Sequence, residues 1–382
     1  MSIYLDNAAT TYPKPDAVYD AVMHAMREVG TSPGRGGYRR SLEADRIVFR
    51  TREIIARLFS IADSSRIIFT HNATAALNLA LHGFLSGGDH VVTTSMEHNS
   101  LLRPLNALSS CGVEVTIVPA GSEGVVSPDD LRRALRPNTT MVALGHVSNV
   151  CGAVQPIGAV GALCRESGIR FLLDAAQSAG SVDIDVAAIG IDLLAVPGHK
   201  GLLGPQGTGF LYVAPGIDLK PQLQGGTGTY SSSEHQPAGM PDGFEAGTHN
   251  LPGIAGLMAG VSFVIERGPS ALLRHEQDLL RDAAAALLSV EGATIYGPRE
   301  WAQLGNVLSF TVEGIDPASL ALELDHGFDI AVRAGLHCAP FAHRTLGTLP
   351  CGTVRVSPGW STTREEIAFF SDAVVQCCEK LR

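Results

Sequence analysis

Seven short apolar runs punctuate the first two thirds of the chain: "RIIFT" (66–70), "HVVTTSM" (90–96), "VEVTIVP" (113–119), "TMVALGHV" (140–147), "RFLLDAA" (170–176), "DLLAVPG" (192–198) and "GFLYV" (209–213). All are short and rich in Val, Ile, Leu or Phe, which predicts strands. Most are separated by helix-length segments with a 3.6-residue apolar period, such as "ATAALNLALHGFL" and "SPDDLRRALR". That alternation predicts right-handed crossovers and a mostly parallel seven-stranded sheet flanked by helices, an α/β fold. Such sheets bind ligands beyond the carboxyl ends of their strands, so the residues just after each run are the first place to look for chemistry.

After position 220 the pattern changes. "LQGGTGTYSSSEHQPAGMPDGFEAGTHN" (223–250) is rich in Gly, Ser and Pro and reads as a long functional loop. The stretch from Leu251 to Arg267 reads as a helix bridging to a second region of helices and strands. The 382 residues exceed a typical single domain of about 150. The expected division is a large domain over 15–255 and a smaller α+β domain formed by 1–14 and 256–382, with the N-terminal arm packed against the small domain.

Composition changes the picture mainly by exclusion. The longest apolar runs fall far short of the ~18 residues that suggest a membrane span, and the start "MSIYLDNAATTYPKP" has no basic region followed by an apolar block. A cytoplasmic location is expected, with no membrane partner. The net charge of −10, without basic stretches carrying aromatics, argues against nucleic acid as a partner. The seven cysteines (111, 151, 164, 338, 351, 377 and 378) have no paired C-x-x-C spacing, so neither disulfides nor structural zinc is favoured.

The strand ends carry the candidate chemistry. Lys200 lies between two strands in a loop with five glycines from Gly198 to Gly209. Alone it reads as a surface lysine; desolvated or near positive charge, it can form a Schiff base with a carbonyl cofactor. Asp174 ends "RFLLD" and is followed by Gln177; it is either a helix cap or a partner for the protonated ring nitrogen of pyridoxal phosphate. "THNAT" (70–74) opens a helix, where free N–H groups and the dipole favour a phosphate, or simply an ordinary cap. His98 follows another strand and is able to stack on a planar ring or to act as a cap.

In this order, "YLDNAATT", "HNAT", "MEHNS", "HVSNVCG", "DAAQSAG", "GHKGLLGPQGTG", "FEAGTHN", "RAGLHCA" and "TVRVS" resemble the class V, fold type I pyridoxal-phosphate enzymes. The closest likeness is to the cysteine desulfurase and selenocysteine lyase family, nearly end to end. The resemblance implies pyridoxal 5'-phosphate on Lys200, Asp174 at the ring nitrogen, Gln177 at the ring hydroxyl and His98 stacked on the ring. Ala73, Thr74 and His199 would hold the phosphate. Arg355 would pair with the substrate carboxylate, and Asn149 would contact that carboxylate or the cofactor hydroxyl region. It also implies a homodimer in which Thr248 reaches the partner's phosphate.

The segment "RAGLHCAPFAH" (333–343) then reads as the nucleophile loop of the group II subclass. Cys338, as thiolate, would take sulfur from L-cysteine as a persulfide, release L-alanine and pass the sulfur to an acceptor protein, as in iron-sulfur cluster assembly. Lys200 would take the alpha proton, His98 is a plausible proton carrier, and Arg333, His337 and His343 are placed to favour the thiolate. A metal site at His337, Cys338 and His343 lacks a fourth ligand at standard spacing and is not expected. Two departures from the family stand out. Pro197 replaces a serine that commonly helps bind phosphate, and Trp360, Ser361 and Thr362 replace an aromatic-Asn-Thr element, with an expected effect on the substrate entrance. The alternatives are an L-selenocysteine lyase, a class V aminotransferase with incidental Cys338, or a non-enzymatic sulfur carrier or scaffold.

Overall fold

The computed structural model describes residues 2–34, 36–229 and 232–382. Met1 of the expected small-domain arm and Tyr230 and Ser231 of the long loop lie outside the described residues. The seven apolar runs form one sheet: β1 (Ile67–Thr70), β2 (His90–Thr94), β3 (Glu114–Val118), β4 (Thr139–Gly145), β5 (Arg170–Asp174), β6 (Leu193–Pro197) and β7 (Gly209–Val213), in the order β1-β7-β6-β5-β4-β2-β3. The neighbours from β6 across to β3 pair in parallel, and β7 is antiparallel to β6 and β1. β5, β6 and β7 are buried almost throughout, as strands covered on both faces must be. Because β6 and β7 are antiparallel, residues 198–208 join them without a crossover helix, and that connection carries Lys200.

Helix α1 (Ala73–Phe84) is capped by the Asn72 side chain, which accepts from Ala75 N, and α2 (Asn99–Ser109) is capped by His98, which accepts from Ser100 N. The long loop contains a single turn of 3₁₀ helix, Asp242–Phe244, among its described residues. It leads into α3 (Leu251–Arg267), which ends where the sequence suggested. The expected boundary after residue 255 falls inside α3, whose Leu257 and Val261 pack into the core beneath the large sheet.

A second core forms on β8 (Ala293–Tyr296), β9 (Leu308–Val312), β10 (Arg333–Gly335) and β11 (Thr353–Val356), an antiparallel sheet ordered β10-β11-β9-β8. Helices α4 (Pro269–Leu287) and α5 (Arg364–Leu381) cover it. The N-terminal arm joins this unit: Ile3–Tyr4 pairs in parallel with Ile330–Ala331, and Ile3 and Leu5 are buried in the second core. The arm then crosses to the large sheet, where Thr11 N donates to His199 O at 3.2 Å and Thr11 Oγ1 to Lys200 O at 3.0 Å.

Candidate active site

Five strand ends open onto one cavity of about 270 Å³ between the two cores. The turn after β2 brings His98, the end of β4 leads to Asn149, β5 ends on Asp174, β6 leads to His199 and Lys200, and α1 begins at Ala73 after β1. Arg333 and Arg355 of the second sheet, with Cys338 just after β10, form the facing wall. Of the expected site residues, all but Thr248 line this cavity.

Burial dominates the electrostatics. The Lys200 amine is pushed down to about 8, first by desolvation and then by Arg355, so a neutral, nucleophilic fraction exists near physiological pH. Asp174 is raised by burial; its Oδ1 accepts from Ala176 N at 2.9 Å, and Oδ2 has no hydrogen-bond partner among the described residues. A buried carboxylate with one free oxygen on a cavity wall suits a cationic N–H partner. His98 is lowered to about 4 by burial and by Lys200, so it presents a neutral ring. Gln177 is fixed by Nε2 donating to Ala8 O at 3.0 Å.

The α1 end of the cavity fits a phosphate. Asn72 satisfies Ala75 N, while the backbone N–H groups of Ala73 and Thr74 have no partner among the described residues. His199 also lines this cavity; burial lowers it to about 4, and its Nδ1 lies 3.0 Å from Thr10 Oγ1, so the ring is neutral. Pro197 lines the cavity too, with neither hydroxyl nor N–H to offer. With Asp174 free at one place and open N–H donors at another, the residues present fit pyridoxal phosphate.

The facing wall is built around Arg355, which is 2% exposed rather than part of a surface ion pair. Its Nη2 donates to Asp6 Oδ1 at 2.6 Å and its Nη1 to Asn149 O at 3.0 Å, leaving Nε buried and unpartnered. Asn149 spends its own amide on the nucleophile turn, Nδ2 donating to His337 O at 2.6 Å. Cys338 is exposed and, like His337, lies in the left-handed region, with φ of 58° and 47°. Two consecutive non-glycine residues in that region are strained, and such strain persists only where surrounding contacts impose it. Asn99 N donates to Cys338 O at 2.8 Å, tying the turn to the start of α2 beside His98.

Two expectations are corrected. His337 and His343 do not supply positive charge for a Cys338 thiolate: burial lowers them to about 2 and about 4, leaving both rings neutral. Trp360 does not shape the entrance of this cavity. It stacks edge-on against Phe263, donates Nε1 to Pro13 O at 2.9 Å and lines a separate small cavity at the domain seam. Thr248, expected at the partner's phosphate and not at its own chain's, is exposed and borders a second cavity near Phe69 and Gly207. Its segment is anchored by buried Glu245, which pairs with Arg52 and accepts from Phe69 N at 2.6 Å.

Glu97 is a site residue that the strand-end survey passed over. It is buried on the cavity wall, accepts from Gly145 N at 2.7 Å, and is raised to about 8, first by burial and later by the neighbouring Asp174. The only sequence signal was its place beside His98 in "MEHNS". Among the described residues, no group of three or more His, Cys, Asp or Glu side chains is arranged to hold a metal ion.

Known proteins with this arrangement extend over the same length. A probable cysteine desulfurase of Methanothermobacter thermautotrophicus is 36% identical, covering 97% of this chain and 94% of that protein. Cysteine desulfurase IscS of Dictyoglomus turgidum is 30% identical across 100% of this chain and 95% of its own length. The apo structure of a cysteine desulfurase from Thermococcus onnurineus superposes with a TM-score of 0.93 at 31% identity, covering 99% of this chain and 95% of that one. The family model described as aminotransferase class-V matches residues 3–370. With that match running through both cores and across the Lys200 cavity, the chain belongs to the aminotransferase class-V family.

Proposed function

We propose that this protein is a pyridoxal-phosphate-dependent cysteine desulfurase, converting L-cysteine to L-alanine with transfer of the sulfur to Cys338 and on to an acceptor protein. The observation that carries the reading is that exposed Cys338, the depressed Lys200 amine and the buried Arg355 share one cavity. The names of the full-length relatives support the same reading.

The chain's own groups divide the work. Arg355 lines the cavity where the substrate carboxylate would lie, and Asp6 and the Asn149 carbonyl hold its Nη2 and Nη1, so the guanidinium is pre-oriented. Lys200, with its amine near 8, takes the Cα proton. Pyridoxal phosphate, when bound, supplies the electron sink for the pair left at Cα. Asp174, with Oδ1 held by Ala176 N, would meet the ring nitrogen, and neutral His98 would pack against the ring. Cys338 Sγ attacks the substrate sulfur, the carbon–sulfur bond breaks, and the carbon fragment takes a proton and leaves as alanine. Ala73, Thr74 and His199 would hold the phosphate, with Gln177 beside the ring. Thr248, exposed on the outer surface, would complete the phosphate site of a second copy in a homodimer.

Incubation with L-cysteine, an assay for alanine and mass spectrometry of the Cys338 peptide test this. The expected result is alanine together with one added sulfur on Cys338. Release of selenide from L-selenocysteine with no alanine from L-cysteine would shift the reading to a selenocysteine lyase. Neither product, with amino-group transfer to a keto acid instead, would favour an aminotransferase.

A further inference from the structure

Between Thr10 and Lys14 the N-terminal arm crosses the loop that carries Lys200, and its hydrogen bonds converge on His199. His199 O accepts from Thr11 N at 3.2 Å and from Lys14 Nζ at 2.7 Å, while Thr10 Oγ1 lies 3.3 Å from the same oxygen. A carbonyl oxygen has two lone pairs. The Thr11 N–H and the half-buried Lys14 ammonium fill both, the second through a short charge-assisted bond. The Thr10 hydroxyl is then left to the shorter of its two contacts, the 3.0 Å approach to His199 Nδ1. It has no other side-chain partner among the described residues.

Donation into Nδ1 decides the form of the ring. Burial lowers His199 to about 4, so the neutral ring carries one proton, and an Nδ1 that accepts from Thr10 puts that proton on Nε2. Were the carbonyl short of a donor, the Thr10 hydroxyl would turn to it and accept from an Nδ1–H instead, leaving Nε2 a lone pair that repels an anion. His199 lines the cavity together with Ala73 and Thr74, and its Nε2 has no hydrogen-bond partner among the described residues. We propose that Lys14 is a positioning residue for the cofactor phosphate: by filling the His199 carbonyl it commits the Thr10 hydroxyl to Nδ1, and so fixes His199 as the Nε2–H tautomer that donates to phosphate. This rests on the reading of His199 as a phosphate ligand. Lys14 does not itself line the cavity and acts through His199.

Heteronuclear NMR of nitrogen-labelled histidines in the full-length, cofactor-free chain at neutral pH reads the tautomer directly, with the His199 signals assigned by their absence in His199→Gln. The parent is expected to show Nε2 protonated. In Lys14→Met the ring should move toward Nδ1–H, and inorganic phosphate, titrated against the same chain, should bind about tenfold more weakly. Lys14→Arg should keep both the tautomer and the affinity. Thr10→Val removes the hydroxyl but keeps the Lys14 charge, and it should also weaken phosphate binding, which separates the tautomer from the plain attraction of an ammonium for an anion. An Nδ1–H tautomer in the parent overturns the proposal whatever the variants do. So does an unchanged tautomer in a Lys14→Met chain with the parent's thermal midpoint, and so does parent-like phosphate binding by Thr10→Val. Parent-like phosphate binding by His199→Gln would overturn it by defeating the reading of His199 as a phosphate ligand. An Nε2–H tautomer in the parent distinguishes that failure from the first.

Discussion

Arg355 Nη2 lies 2.6 Å from Asp6 Oδ1, an ion pair between opposite ends of the chain that fixes the guanidinium at the cavity. Asp6 sits just beyond the strand Ile3–Tyr4, and Arg355 sits on β11. The pairing of the N-terminal arm with Ile330–Ala331 therefore helps to orient the residue proposed to bind the substrate carboxylate.

Arg355→Lys should raise KM for L-cysteine about 100-fold with kcat changed only a few-fold, because a lysine cannot hold Asp6 and a carboxylate in the same planar geometry. Steady-state alanine production measures both constants. A collapse of kcat at unchanged KM would place Arg355 in the chemical step instead.

Cys338→Ser should reduce alanine formation from L-cysteine about 1000-fold while leaving the visible cofactor absorbance and its loss on borohydride treatment intact. A spectrophotometric titration followed by an alanine assay separates the two. Unimpaired alanine formation would assign Cys338 no part in breaking the carbon–sulfur bond.

Asn149→Ala should relax the left-handed turn at His337 and Cys338, because the Asn149 amide is the side-chain donor to His337 O at 2.6 Å. Persulfide formation should slow about 10-fold with little change in cysteine affinity. Rapid-quench mass spectrometry of the Cys338 peptide reads the rate directly. A large loss of affinity at unchanged rate would mean that Asn149 acts on the substrate rather than on the turn.

Glu97→Gln should weaken the pH dependence of stability. Glu97 is raised from 4.5 to about 8 in the folded protein, so over that interval the folded state holds a proton that the unfolded state releases. Its contribution is fully present below about 4.5 and is lost as pH rises through about 8. Urea midpoints at pH 5 and pH 8 should therefore differ less in Glu97→Gln than in the parent. Equal differences would mean that the carboxyl is ionised throughout.

The sheet was legible because strand-forming runs are local. "RFLLD" and "DLLAVPG" announce β5 and β6 through their own side chains, and the polar residues that end or follow such runs fall at a carboxyl end wherever the sheet is parallel. Lys200, Asp174 and His98 could thus be picked out before any contact was known. Glu97 was harder to see, because nothing in "MEHNS" shows that its carboxylate is buried while the next residue's ring lines the cavity. Glu276 of α4 had no signal at all: on an amphipathic helix it reads as one more charged residue, and it is buried where α4 meets loop residues such as Gln177 and Ser181.

The sequence by itself determined the strand order along the chain, the helix from Leu251 to Arg267, and which residue types stand at the strand ends, since these follow from periodicity and adjacency. Tertiary structure decided the charges and the free valences. His337 and His343 are neutral, Trp360 faces the seam, and Arg355 is held by Asp6 and Asn149, because burial and pairing depend on residues far apart in the chain. A side chain's protonation and its unspent hydrogen bonds are set by the surface it is packed against, and that surface exists only once the two cores have met.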